Sequence, residues 1–179
     1  MISKKGSLYS MIALFGTVLM VLCFVFMFVL GGFVIKDTAG TVFDEVRDIG
    51  MIGDNVNVTT YADVVFKPVE DILNNYALYA VVLYIFGIIF IFTLAFIFRG
   101  NVAGWNIALF VLCALLIVVF CIILSNTYEV FYTGTDDIGI GLRDAGAINY
   151  LILYSPAIMS IVIFIAGIIM MTGKEEGFR

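Results

Sequence analysis

Histidine is absent from this sequence of 179 residues. The absence excludes histidine-ligated haem, His-containing zinc and copper sites, and every mechanism that uses imidazole as a general base. Charged residues are also scarce, at 13% of the chain, where a soluble domain carries about 25%. Hydrophobic residues make up 63%, against roughly 45–50% in soluble domains. This composition indicates an integral membrane protein.

Cysteine is present only three times, as Cys23, Cys113 and Cys121, and each of these lies inside an apolar run. With no C-x-x-C pair, we expect small buried packing residues and no disulfide framework or zinc ribbon. The phosphate-binding patterns G-x-x-x-x-G-K-[ST] and G-x-G-x-x-G are missing too. No nucleophile with a paired acid and base can be assembled from the sequence. We therefore expect no enzymatic activity, no cofactor and no nucleic-acid partner.

Four long uncharged windows remain once every charged residue is marked, and each exceeds the roughly 20 residues that cross a bilayer core. They occupy residues 6–35, 72–98, 100–128 and 145–173. The windows lack period-2 alternation, so they predict α-helices and not barrel strands. We predict a single four-span membrane domain over residues 1–179, with spans at about 8–35, 72–98, 105–127 and 148–172. The outer segments are then 36–71 and 128–147.

The basic residues predict how these spans are oriented. Five of them are concentrated in three short segments, at Lys4, Lys5, Arg99, Lys174 and Arg179. Twelve of the fourteen acids lie in the two long segments instead. By the positive-inside rule both termini are cytoplasmic, in a cell or envelope membrane. The spans contain no charge, which argues against a proton relay or a voltage sensor.

The first outer segment has patterns that predict local structure. Val42, Val46 and Ile49 recur at helical spacing opposite acids, which predicts a short amphipathic surface helix. Residues 55–60 and 128–132 alternate, which suggests that they pair as a small extracellular β-sheet. Pro68 suits the first turn of the helix that forms the second span. The predicted fold class is an all-α membrane protein with a small, partly ordered extracellular region.

Several residues are candidates for particular roles. Asn57 begins an N-x-[ST] pattern and is a candidate for glycosylation. Asp136 and Asp137 could bind a hard cation such as Ca²⁺, but the EF-hand spacing is missing and a solvated turn is the preferred interpretation. Pro156 predicts a kink in the fourth span. Helix-packing candidates are the small residues Ala13, Thr17, Ala166 and Gly167.

The function favoured by these observations is a structural or accessory subunit of a membrane assembly. Its partners would be the lipid bilayer and other membrane proteins or copies of itself, contacted through helix packing and an acidic extracellular surface. The alternative is an oligomeric channel for cations or small solutes, because an acidic mouth concentrates cations. The four-span topology is like that of tetraspanins, claudins and gap-junction channels. Those families carry paired cysteines in their extracellular loops and this chain has none, so no family is assigned.

Overall fold

The computed structural model describes residues 4–52, 56–100 and 104–172, and almost all of them are helical. In chain order, the elements are α1 (Lys4–Asp48), β1 (Met51–Ile52), β2 (Val56–Asn57), α2 (Val58–Asn74), α3 (Tyr76–Ile97), α4 (Gly104–Tyr132), α5 (Asp137–Arg143), α6 (Ala147–Leu153) and α7 (Ser155–Met171). The prediction of an all-α chain with long apolar helices is therefore confirmed.

Three helices are long and apolar enough to cross a membrane. They lie within Leu8–Asp48, Tyr76–Ile97 and Asn106–Tyr132. The helices α6 and α7 pass the same test together, although the chain bends by 69° between them. The described residues thus contain three candidate membrane-spanning helices, or four when this bent pair counts as one span.

The longest helix, α1, extends well beyond what a bilayer requires. Its 45 residues correspond to roughly 67 Å at 1.5 Å per residue, about twice the thickness of a hydrocarbon core. Its buried side chains recur every three or four residues, as expected for a helix packed along one face. They are Met11, Leu14, Phe15, Val18, Leu22, Val25, Val29 and Phe33. The helix α1 therefore packs as one side of the bundle and also extends beyond it.

The apolar helices form a bundle in which α1 and α7 each pack against both α3 and α4. Small residues bring the helix axes close together. A Cβ atom placed at Gly87 of α3 would clash with Val21 of α1, and one at Gly167 of α7 would come within 2.7 Å of the Phe110 ring of α4. Because there is no room for a larger side chain, these glycines determine how closely the helices approach.

Several predictions about the outer segments are wrong. Residues 128–132 are the last turn of α4 and residues 58–60 begin α2, so the predicted sheet between these segments does not form. Instead Met51–Ile52 pairs antiparallel with Val56–Asn57. Five or six alternating residues are too few to distinguish a strand from part of a helix by periodicity alone.

The remaining corrections concern helix boundaries and one cysteine. Val42 and Val46 belong to the continuation of α1, so there is no separate surface helix, and Ile49 lies just beyond the end of α1. Pro68 lies inside α2, ten residues after its start at Val58. The following span begins at Tyr76. Cys23 is exposed on α1, whereas Cys121 is buried as predicted.

Candidate functional site: the charged hairpin

Residues 36–48 of α1 and the whole of α2 form an antiparallel pair that we call the charged hairpin. The contact between Gly32 of α1 and the ring of Tyr76, the first residue of α3, marks where it begins. From this level onward α1 packs against α2 instead of α3. The pair holds seven acids and three basic residues, whereas the apolar parts of α1 and α3 below it have none. The charged hairpin is therefore the part of the bundle suited to water.

Arg47 lies at the centre of the charges in this hairpin. Its Nε donates to Asp63 Oδ1 at 2.7 Å, and its Nη1 lies 2.7 Å from Glu70 Oε1. A longer contact of 3.5 Å joins Nη1 to Asp44 on its own helix. The hydrogen bonds that Arg47 donates to Glu70, and then to Asp63, raise the pKa of its guanidinium further above the ordinary value. One guanidinium thus links α1 to two turns of α2 and contacts three of the seven acids.

The tip of the hairpin is fixed by backbone and capping hydrogen bonds. Gly50 follows α1 with a φ of 66°, a conformation that favours glycine. Its carbonyl accepts from Val58 N at 2.9 Å. Asn57 caps α2 by accepting at Oδ1 from Thr60 N at 3.2 Å. The Thr59 hydroxyl donates to the Arg47 carbonyl at 3.1 Å. These bonds hold the reversal between the two helices.

One face of α2 packs against α1. The rings of Phe43 and Phe66 stack with centroids 4.3 Å apart and an interplanar angle of 14°, and Ala62 is buried between the helices. Polar and charged residues occupy a second face, which includes Thr60, Asp63 and Lys67. The face packed on α1 and the polar face are therefore two of the three sides of α2.

The third side of α2 is apolar and uncovered, and we call it the apolar face. Its residues are Tyr61, Val64, Val65, Pro68, Val69 and Ile72. The exposed fractions of the five other than Pro68 range from 43% to 72%. The positions 61, 65, 68 and 72 follow the alternating four- and three-residue spacing of a helix-packing seam. An exposed apolar surface of this kind on a charged segment usually marks an interaction site.

The same spacing continues past Asn75 into α3. Tyr79, Val82 and Phe86 come next in the series, and all three are exposed. Because α2 and α3 both pack on α1, their exposed sides both face away from it. The seam thus runs from the charged hairpin down to the part of the bundle that suits lipid.

A second polar cluster joins the ends of α4, α5 and α6. The buried Tyr128 donates its hydroxyl to Asn149 Oδ1 at 2.6 Å, and Asn149 Nδ2 donates to the Leu142 carbonyl at 2.8 Å. Arg143 Nη1 donates to the carbonyls of Tyr132 and Gly134, at 3.1 and 3.0 Å. Asn149 and Arg143 donate to carbonyls at helix ends, and Tyr128 bonds to Asn149, so the cluster stabilises the fold and leaves little capacity for a ligand.

The structure gives the two candidate cation ligands separate surroundings. Asp136 caps α5, since its Oδ1 accepts from Gly139 N at 3.0 Å, and Asp137 is exposed in the first turn. Within the described ranges, no group of three or more Cys, Asp or Glu side chains is placed to hold a metal ion. Both aspartates lie at the start of the short helix α5, Asp136 as its N-cap and Asp137 as its first residue.

The other candidates are distributed over the bundle. Asn57 is exposed at the tip of the hairpin. Ala166 and Gly167 are buried, with Gly167 facing α4 of the same chain, whereas Ala13 and Thr17 are only half-buried on α1. Pro156 is the second residue of α7 and follows the 69° bend. None of these residues meets another to form a common site.

Sequence reasoning missed Arg47 and the apolar face. The sequence patterns do not single out Arg47, and within the region of α2 they predict a strand at residues 55–60 and a helix start at Pro68. The signal that could have revealed the face is the run of apolar residues at 61, 64, 65, 68, 69 and 72, which has helical periodicity.

Comparisons with known proteins gave no match: no family model, curated protein or solved structure resembles this chain.

Proposed function

We propose that this chain crosses the bilayer four times, with both termini cytoplasmic, and serves as a structural or accessory subunit of a membrane assembly. The observation that carries the proposal is the apolar face of α2. The charged hairpin holds ten charged residues. One side of α2 nevertheless has six neighbouring apolar positions with no charge among them. Leaving this surface in water costs free energy, and a packed partner removes that cost.

The position of the apolar face suggests the kind of partner. The seam of exposed residues continues from α2 into α3, so a partner helix that follows it must pass from water into lipid. A second membrane protein with a helix extending beyond the bilayer meets this requirement, whereas a soluble protein would cover only the upper part. We therefore propose a membrane-embedded partner whose projecting helix is apolar on the facing side.

The interior of the bundle supports a packing role over a transport role. The buried polar residues of the described chain are Ser10, Ser125, Asn149 and Ser155. Ser125 donates to the Leu153 carbonyl and Asn149 donates to the Leu142 carbonyl, so both side chains are used in holding the helices of this chain together. A channel would therefore have to form between chains, around an axis outside this bundle.

Site-specific photo-crosslinking in intact membranes tests the proposal. A photoreactive residue at Val65, on the apolar face, is expected to give an adduct with a second membrane protein, whereas one at Lys67, on the polar face, gives none. Val65→Glu should abolish the association in mild detergent, and Lys67→Glu, a larger change of charge on the other side of the helix, should preserve it.

Two outcomes would overturn the proposal. One is that mild detergent extracts the wild-type chain alone and that the photoreactive residue at position 65 gives no adduct. The other is a homogeneous ring of this chain that conducts cations in planar bilayers, which would establish the channel instead.

A further inference from the structure

A cavity of about 10 Å³ lies where the four apolar helices meet. Apolar side chains of α1 and α4 form most of its wall. The polar part comes from Tyr84 of α3 and Ser155, the first residue of α7, and Ile152 near the end of α6 also lines it. Tyr84 lies eight residues into α3, roughly 12 Å along the helix from Tyr76. The cavity is therefore within the bundle and away from the charged hairpin.

Tyr84 forms part of the wall of this cavity and carries a buried hydroxyl. Tyr84 is only 1% exposed, and among the described residues its hydroxyl has no hydrogen-bond partner. A buried hydroxyl without a partner is costly, and such groups in folded proteins are nearly always bonded to protein or to ordered water. Because Tyr84 lines a cavity, ordered water is the hydrogen-bond partner that fits this position.

The break between α6 and α7 supplies further polar groups. Pro156 has no N–H, so the carbonyl of Ile152 receives no helical hydrogen bond from residue 156. Ser125 of α4 already donates to the neighbouring carbonyl of Leu153 at 2.6 Å. The hydroxyl of Ser125 thus helps to hold the bent span. The Ile152 carbonyl accepts from the Tyr154 N–H, and its second lone pair can accept another hydrogen bond.

We propose that the cavity binds one water molecule, which links the Tyr84 hydroxyl to the Ser155 hydroxyl and the Ile152 carbonyl. The volume matches the minimum for a single water, and two to four polar partners are the usual number for a buried one. An ion is excluded by the lack of charge in the wall, and a larger solute by size. The water acts as a hydrogen-bonded bridge from α3 to the broken span and holds the 69° bend in place.

The substitution Tyr84→Phe tests this site by thermal unfolding of the purified chain. With a bridging water, removal of the hydroxyl leaves the water short of a partner, and Tm should fall by about 2–4 °C. Without one, the substitution removes only an unpaired polar atom, so an unchanged or higher Tm would overturn the proposal. Tyr79→Phe, on the exposed side of the same helix, is the matched control and should leave Tm unchanged.

A double-mutant cycle and a direct map complete the test. If Tyr84 and Ser155 share one water, the losses from Tyr84→Phe and Ser155→Ala should not add, because either substitution already disrupts the bridge. Additive losses would contradict the shared water. An experimental map at about 2 Å should show density within hydrogen-bond distance of Tyr84 Oη, and a clear void there would overturn the proposal independently of any variant.

Discussion

Arg47 shows how much of the charged hairpin depends on one side chain. It contacts carboxylates at three levels, on Asp44, Asp63 and Glu70, and its backbone carbonyl accepts from Thr59. Exposed ion pairs contribute little singly. Here the removal of one guanidinium breaks three contacts at once, including the two at 2.7 Å that join α1 to α2.

We therefore expect Arg47→Ala to open the hairpin while the apolar bundle stays folded. The measurement is limited proteolysis of residues 48–60 together with hydrogen exchange of α2, and both should become faster. Lys67→Ala removes the same charge from the polar face of α2 and should change neither rate. If both variants behave like wild type, even in low salt where these interactions are strongest, then Arg47 does not hold the hairpin.

Asn57 combines a structural position with a candidate modification. Its Oδ1 caps α2, while its Nδ2 would carry the glycan in a cell that glycosylates exported protein. Asn57→Asp should keep the cap and remove any glycan, because aspartate caps helices about as well as asparagine. Asn57→Ala should remove both, with a loss of about 1 kcal/mol in stability.

The measurements for Asn57 are gel mobility with and without a glycosidase, and thermal unfolding of the three forms. A wild-type mobility unaffected by glycosidase would contradict the glycosylation prediction. Equal stability of Asn57→Asp and Asn57→Ala would contradict the capping role.

The contact between α1 and α3 depends on the missing side chain of Gly87. A Cβ atom there would overlap Val21 on the opposite helix. The two backbones therefore have to separate, or Val21 has to leave its rotamer, when any larger residue is introduced.

Gly87→Ala is expected to destabilise the bundle by about 1–3 kcal/mol, the usual cost of overpacking a tight contact. The matched control is Gly16→Ala on α1, where an added Cβ has nothing within 4 Å. Because alanine favours a helix over glycine, this second variant should be neutral or slightly stabilising. Thermal unfolding in detergent measures both, and equal Tm values would show that the close contact is unimportant.

The topology of the complete chain can be tested with two new cysteines in a background where Cys23, Cys113 and Cys121 are replaced by alanine. Thr38 is exposed at the start of the charged hairpin, and Thr172 is exposed at the opposite end of the bundle, after α7. On the proposed orientation, a membrane-impermeant maleimide should label Thr38→Cys in intact cells and Thr172→Cys only after permeabilisation.

The reverse labelling pattern would show that the protein has the opposite orientation in the membrane. Labelling of both positions in intact cells would mean that the bent pair α6–α7 does not cross the bilayer, leaving three spans. This experiment therefore distinguishes the two numbers of spans that the helices permit.

The amino-acid sequence by itself determined the helical class and the apolar segments, because hydropathy and the absence of charge are properties of local windows. Some ends of the apolar windows lie near helix ends, as for α3, which is predicted from residue 72 and begins at Tyr76. The sequence did not reveal that α1 continues to Asp48 or that α2 is a separate helix from Val58, because short patterned stretches do not define helix boundaries.

Only the tertiary structure decided which apolar residues are covered. Apolar residues occur on two sides of α2, and the sequence does not show that Ala62 and Phe66 face α1 while Tyr61 and Val65 remain exposed. The meeting of Arg47 with Glu70, 23 positions apart, and of Tyr84 with Ser155 across the cavity depends on how helices rotate about their axes. That rotation is set by the packing of every helix at once, so no local window contains it.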